Sequence, residues 1–167
     1  MTTIDAAFWI DHLQLSPHPE GGAFREVYRS GLKIPKKDLP GDFAAQRSVS
    51  TAIYFLLRQG EISAFHRIAS DELWHFYAGS TLTVYEIAPE TGMLTKHQLG
   101  SDYLVGQVFQ TMITAGSWFA AKCEKDYALV GCTVSPGFDF EDFELAKRKE
   151  LIAAYPEHEE LIVSLTR

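Results

Sequence analysis

Asparagine is missing altogether from the 167 residues, and cysteine occurs only twice. No N-linked sugar acceptor can therefore exist. Cys123 and Cys132 sit in strand-like surroundings without a CxxC or CxxH neighbour, so they read as buried free thiols and not as a zinc site or redox pair. Long apolar runs are missing too, since no segment approaches the roughly 20 apolar residues that span a bilayer. The opening MTTIDAAFWIDHLQL contains Asp5, no basic start and no unbroken apolar stretch. It argues against a signal peptide and makes a cytoplasmic location the expectation. A basic surplus is also lacking: 15 Lys and Arg face 22 Asp and Glu, for a net charge of −7. Such a chain repels phosphate backbones and anionic lipid, so no nucleic-acid or membrane partner is expected. The basic cluster Lys147 to Lys149 follows Glu141, Asp142 and Glu144 and reads as a solvated helix face. There is no HExxH pair and no nucleophile elbow, and Gly21-Gly22 leads into a strand instead of cradling phosphate before a helix.

What is present is the composition of an ordinary globular protein, 46% hydrophobic and 13% aromatic, with one domain over 1–167 able to bury a core. Over 3–15, Ile4, Phe8 and Leu15 fall near one helical face, with Thr3 as cap and Asp5 in the first turn. SPHPEGG, residues 16–22, ends that helix, and its His18 reads as part of a stiff surface turn. From 23 to 134, short runs rich in Val, Ile, Thr, Tyr and Phe alternate with turn residues. Strands are predicted near 23–30, 47–57, 61–68, 71–77, 81–88, 94–99, 107–113, 117–122 and 126–134. Many short strands without intervening helices indicate an all-β antiparallel sandwich or barrel. A helical appendage is predicted over 140–156, acids early and bases late, with Glu144 and Arg148 one turn apart and Pro156 closing it. The final LIVSLTR reads equally as strand or helix and must pack on the barrel or on a second subunit.

The stretch GEISAFHRIASDELWHFYAG, residues 60–79, carries the chemistry. Period-two counting puts Ile62, Ala64, His66 and Ile68 on one face, and Glu72, Trp74 and Phe76 on a face of the next strand. A turn at Ala69-Ser70 would bring His66 and Glu72 together in an apolar cavity. There they either fix a strand crossing as a hydrogen-bonded pair or act on a ligand, with burial tuning His66 as a proton acceptor. Trp74 and Phe119 suit a ligand platform or plain core, and Ser117 and Tyr54 would add polar contacts. The same alternation turns His75 and Tyr77 outward. Glu20, Arg25 and Arg29 either reach a pocket mouth or form a surface ion-pair face.

Gly60, His66, Glu72 and Gly79 resemble the first motif of the cupin superfamily, G-x5-H-x-H-x3,4-E-x6-G, with Ile68 standing where the second histidine belongs. The second cupin motif is matched weakly. With Thr114-Ala115-Gly116 on its Pro-x-Gly turn, Phe119 holds the place of the histidine ligand and Cys123 that of the asparagine. LSPHPEGGAFREVYRS, STAIYFLL, HRIASDELWHFYAGS and VGCTVSPGFDFEDFELAKR together resemble a cupin branch known largely as a family of unknown function. The resemblance implies an antiparallel double-stranded β-helix, the jelly-roll barrel, here with an N-terminal helix and a C-terminal helix. It also implies that two of the four usual metal ligands are absent, so His66 and Glu72 are weak metal candidates.

The reading that follows is a small-molecule pocket, for a carbohydrate or nucleotide-sugar-like ligand, in a homodimer. His66 and Glu72 act as an acid/base pair without obligatory cofactor, in its sharpest form an isomerase- or epimerase-like proton transfer next to a carbonyl. Two alternatives stand beside it: a non-catalytic metabolite-binding cupin, and a metal-dependent dioxygenase or isomerase that uses a divalent transition metal with a degenerate ligand set.

Overall fold

A computed structural model describes residues 4–41 and 43–167; Thr3, the expected cap, lies outside them. Helix α1 (Ala6–His12) starts instead at Asp5, whose carboxylate accepts the Phe8 N–H at 2.8 Å and so satisfies one of the free donors of the first turn. The helix is shorter than 3–15, and it buries a different face: Trp9, Ile10 and Leu13 pack with Leu15 onto Leu56 and Leu129, while Ile4 is exposed.

The strands follow as β1 (Ser16–Pro17), β2 (Ala23–Arg29), β3 (Lys33–Ile34), β4 (Arg47–Ser48), β5 (Thr51–Arg58), β6 (Ile62–Arg67), β7 (Asp71–Gly79), β8 (Leu82–Ile87), β9 (Leu94–Leu99), β10 (Gln110–Ile113), β11 (Trp118–Cys123), β12 (Tyr127–Ser135) and β13 (Glu144–Leu145). All pair antiparallel within the sheets. A six-stranded sheet has the order β1-β2-β5-β12-β7-β10, a five-stranded sheet the order β13-β6-β11-β8-β9, and β3 with β4 makes a separate ribbon. The two large sheets form the jelly roll. Between them lies the main core, to which alternate residues of each strand contribute: Phe55 and Leu57, Leu82 and Val84, Phe119 and Ala121, Ala128, Val130, Cys132 and Val134.

The predicted appendage breaks up. Residues 140–147 are not α-helical: Phe140–Asp142 form one 3₁₀ turn and β13 then extends the five-stranded sheet, so the helix α2 is confined to Arg148–Ala154. The early acids have other partners. Asp142 grips buried Arg47 through two bonds of 2.6 and 2.7 Å, and Glu144 pairs with Arg67, not with Arg148. A short helix α3 (Glu159–Ser164) settles the ambiguous tail, and its Ile162, with Leu165, packs on the outer face of the five-stranded sheet beside Phe65 and Leu151. No helix among the described residues is long and apolar enough to cross a membrane.

On the other side of β7 and β11 from the SPHPEGG turn, a polar clamp closes the junction of the two sheets. Glu86 on β8 meets His97 Nε2 at 2.9 Å and accepts the Thr114 N–H at 3.1 Å, and His97 Nδ1 lies 2.8 Å from the Thr111 hydroxyl on β10.

Candidate functional site

His66 reaches the interior through an irregularity that alternation does not foresee. On β6, His66 pairs with Phe119 but Ser63 pairs with Ala121, so two residues of β6, Ala64 and Phe65, oppose Ala120 alone. This β-bulge lets Ser63 and His66 both face the core, sends Ile62 and Phe65 to the outer cluster, and breaks the expected Ile62-Ala64-His66 face. The freed Ala64 carbonyl lies 2.8 Å from His66 Nδ1. A carbonyl only accepts, so Nδ1 carries the hydrogen and Nε2 presents its lone pair.

That lone pair faces Glu20, whose Oε2 lies 3.1 Å away. Glu20 arrives on the SPHPEGG turn, which closes through Gly21 N–H to His18 O and His18 N–H to Gly22 O, both at 3.0 Å. Gly21 and Gly22 have positive φ, and a Cβ on them would strike the Ile62 and Leu56 carbonyl oxygens respectively. Only glycine therefore lets this turn run between β5 and β6, where the Glu20 carbonyl accepts the Ala64 N–H at 2.9 Å. The turn is thus no surface feature. Its Glu20 side chain is buried, accepting the Ser63 hydroxyl at 2.8 Å, and the nearly buried His18 ring lies 3.4 Å from Glu20 Oε2.

Glu72, on β7, lines the same cavity as His66, but the expected hydrogen-bonded pair between them is replaced. Both His66 nitrogens are engaged elsewhere, and Glu72 lies beside the Cys132 thiol of neighbouring β12. Trp74 lines the cavity as expected, 1% exposed, and its Nε1 has no hydrogen-bond partner among the described residues. Three other expected contacts fall outside the lining. Phe119 stacks obliquely on the His66 ring with centroids 4.1 Å apart and supports it; Ser117 is buried in the turn before β11; and Tyr54 points to the outer sheet face, 5.9 Å from the Tyr77 ring. His75 also faces outward, bonding Thr133 Oγ1 at 3.1 Å.

The cavity measures about 140 Å³, room for about five waters or a small metabolite. Phe24, Phe55, Trp74, Phe138 and Phe140 supply its aromatic wall, and Glu26, Arg29 and Asp139 stand among its more exposed lining. Arg29 is held by Glu26 through bonds of 2.9 and 2.7 Å. The aromatic segment 138–143 is tied down by the Phe138 N–H to Thr51 Oγ1 at 2.9 Å and by the Arg47–Asp142 pair.

Burial sets the protonation of the site. It pushes the Glu20 carboxyl up to about 7 against opposing pulls from His18, Ser63 and Arg167. Burial, with the nearby charge of Glu20, pushes Glu72 up to about 8. His66 is held down to about 4 by burial, and the Cys132 thiol is raised by burial and by Glu72. With His66 neutral and Nδ1 protonated, the hydrogen between it and Glu20 belongs to the carboxyl.

A cupin metal does not fit these residues. Ile68 and Phe119, at the two vacated histidine positions, are buried and place hydrocarbon there, and the His66 lone pair is already turned on a carboxyl. Among the described residues no group of three or more His, Cys, Asp or Glu is arranged to hold a metal ion. Sequence reasoning missed the roles of Glu20, His18 and Cys132. One signal was legible: paired glycines directly after an acid mark a backbone squeezed against its neighbours.

Comparison with known proteins agrees with this architecture. Protein SO0799 of Shewanella oneidensis has 43% sequence identity and superposes with a TM-score of 0.88, covering 99% of each chain. A hypothetical protein from Leishmania major has 33% identity and a TM-score of 0.87, covering 97% of this chain and 98% of its own. The uncharacterized protein YML079W of Saccharomyces cerevisiae is 30% identical over 152 residues, 84% of this chain and 75% of the yeast protein. The family model described as Cupin superfamily (DUF985) matches residues 7–146, and the chain belongs to that family.

Proposed function

We propose that the cavity is a proton-transfer site for a small hydroxy-carbonyl metabolite, an isomerase- or epimerase-like activity whose working groups are Glu20, His66 and Glu72. The observation that carries this reading is the His66 ring: with Nδ1–H spent on a backbone carbonyl, the Nε2 lone pair faces Glu20 alone, inside an aromatic chamber. A carboxyl near 7 is poised to act as base at neutral pH, and one near 8 to act as acid. In this scheme the ionised fraction of Glu20, about half at pH 7, takes the proton from the carbon beside the substrate carbonyl, while Glu72 gives its proton to the carbonyl oxygen. The enediol so formed collapses when the two protons return, to the other face or the neighbouring carbon. His66 shares the proton held by Glu20. The cavity size and the engagement of Arg29 by Glu26 favour a single sugar-like unit over a nucleotide sugar, which would need free cations for its phosphates.

The test is proton NMR in D₂O with a panel of small aldoses, ketoses and hydroxy-ketones. The wild-type protein should catalyse loss of the C–H signal next to the carbonyl, and Glu20→Gln or His66→Ala should slow it by roughly 10²–10⁴-fold. Binding without any exchange would replace the reading with a non-catalytic metabolite binder. Assembly as a homodimer belongs to the same proposal. Tyr103, Leu104 and Val105 are exposed, Leu104 by 98%, beside the edge strand β10 with its exposed Phe109 and Met112 neighbours. Light scattering of the wild type and Leu104→Asp, expected to give dimer and monomer, tests it.

A further inference from the structure

The cavity's charge is one-sided in a way the proton-transfer scheme does not use. Four carboxyls line it, Glu20, Glu26, Glu72 and Asp139, against one guanidinium, Arg29, which already bonds Glu26 and the Phe138 carbonyl. Glu72 has no cationic partner at all among the described residues; its neighbour is the Cys132 thiol. The walls between the carboxyls are aromatic and set at steep angles. Phe55 and Trp74 meet at 81° with centroids 5.9 Å apart, and Phe138 and Phe140 at 83° with centroids 5.0 Å apart. Perpendicular rings around buried carboxyls attract a cation through the negative ring faces, and a cation placed between the carboxyls in turn favours their ionised form. Trp74 lines the same cavity, and its buried indole N–H lacks an acceptor, an unmet donor that a ligand oxygen would satisfy.

We propose that the ligand of this cavity is a small organic cation bearing an oxygen acceptor, its ammonium or alkylammonium group lying between Glu20 and Glu72 among the aromatic rings and its oxygen bonded to Trp74 Nε1. The inference rests on the cavity being the ligand site and narrows the substrate class to amino-substituted hydroxy or carbonyl compounds. An anionic ligand is disfavoured because it would enter beside Glu26 and Asp139 and meet two further carboxyls.

A charge-matched pair of probes decides it. Choline and 3,3-dimethyl-1-butanol have the same shape and the same hydroxyl and differ in one atom, a positively charged nitrogen against a carbon. Binding of each to the full-length protein is measured by titration calorimetry and by the tryptophan fluorescence, with 3,3-dimethylbutyrate as the anionic third member. The expected result is tighter binding of choline than of the neutral isostere by tenfold or more, with the butyrate weakest. Glu72→Gln should erase most of the preference while leaving the affinity for 3,3-dimethyl-1-butanol within about threefold, which also reports an intact cavity. Equal or stronger binding of the neutral probe, or no binding of choline, overturns the cation assignment. Hydrogen exchange into neutral sugars under those same conditions would leave the proton-transfer reading standing, so the two failures are distinguishable.

Discussion

Two carboxyl–histidine pairs of nearly equal length sit in this molecule, Glu20–His66 at 3.1 Å and Glu86–His97 at 2.9 Å, and their surroundings differ in every other respect. The second nitrogen of His66 faces a carbonyl, which fixes the ring's tautomer; that of His97 faces the Thr111 hydroxyl, which donates or accepts equally well. Glu20 has a cavity beside it and only Ser63 as a further direct hydrogen-bond donor, whereas the free oxygen of Glu86 is committed to the Thr114 backbone N–H. One pair has a fixed hydrogen and an open side. The other has both carboxylate oxygens and both ring nitrogens engaged and joins β8 and β9 to β10. The lesson is that a pairing distance says little about role; the partner of the second ring nitrogen and the space next to the carboxyl say more.

The largest expected effect breaks the comparison at the level of chemistry. Glu20→Gln should slow hydrogen exchange into a responsive substrate by roughly 10²–10⁴-fold, and Glu86→Gln should leave it within about twofold, both followed by proton NMR. Equal losses would mean that the cavity pair has no special standing. Stability should rank the pairs in the opposite order. Glu86→Ala strands the Thr114 N–H and His97 and should cost about 1–3 kcal/mol in denaturant unfolding, whereas Glu20→Gln keeps a donor toward His66 Nε2 and an acceptor for Ser63 and should cost less than about 1 kcal/mol at pH 6.

A subtler distinction appears with pH. The folded-state values of Glu20 and Glu72 lie above the ordinary 4.5, so their contribution is fully present below 4.5 and is lost as pH rises through about 7 and 8. His66 is depressed from 6.5 to about 4, so its contribution is present above 6.5 and is lost as pH falls through 4. Thermal melts between pH 5 and 9 should therefore decline toward alkaline pH, less steeply in Glu20→Gln and Glu72→Gln; an unchanged slope would contradict the burial of these carboxyls. The smallest effect is expected from Tyr54→Phe. Its ring lies on the outer sheet face, and ligand affinity should stay within about twofold in the same titration assay.

Much of this molecule was legible in the sequence. Alternation within β5, β7 and β12 tells which residues enter the core, because side chains of a regular strand change face at every step. Glu72 and Trp74 were placed inside, and His75 and Tyr77 outside, on that ground alone. The same rule failed at Ser63 and Ala64, whereas Tyr54 obeys it, facing outward one step from Phe55. A bulge is one extra residue in one strand, and whether a strand carries it depends on its partner's register, which no local pattern displays. Glu20 was lost for a related reason. It belongs to a turn whose burial is decided by strands forty residues away, and glutamate among prolines and glycines has the composition of a surface loop. The 140–147 segment misled through its charges: acids that suit a helix start suit Arg47 and Arg67 equally, and those ion pairs are long-range.

The bulged pair of β6 is held from two distant parts of the chain. Ala64 N–H is bonded by Glu20 O at 2.9 Å, and Phe65 N–H by Leu165 O at 2.8 Å. A chain emerging from a ribosome therefore has the histidine and both glutamates in hand long before it has the residue that fixes the strand presenting that histidine. The presentation of His66 is complete only once residues 159–165 have packed on the outer face of the sheet, so a change in that segment reaches the cavity through β6 without touching its lining.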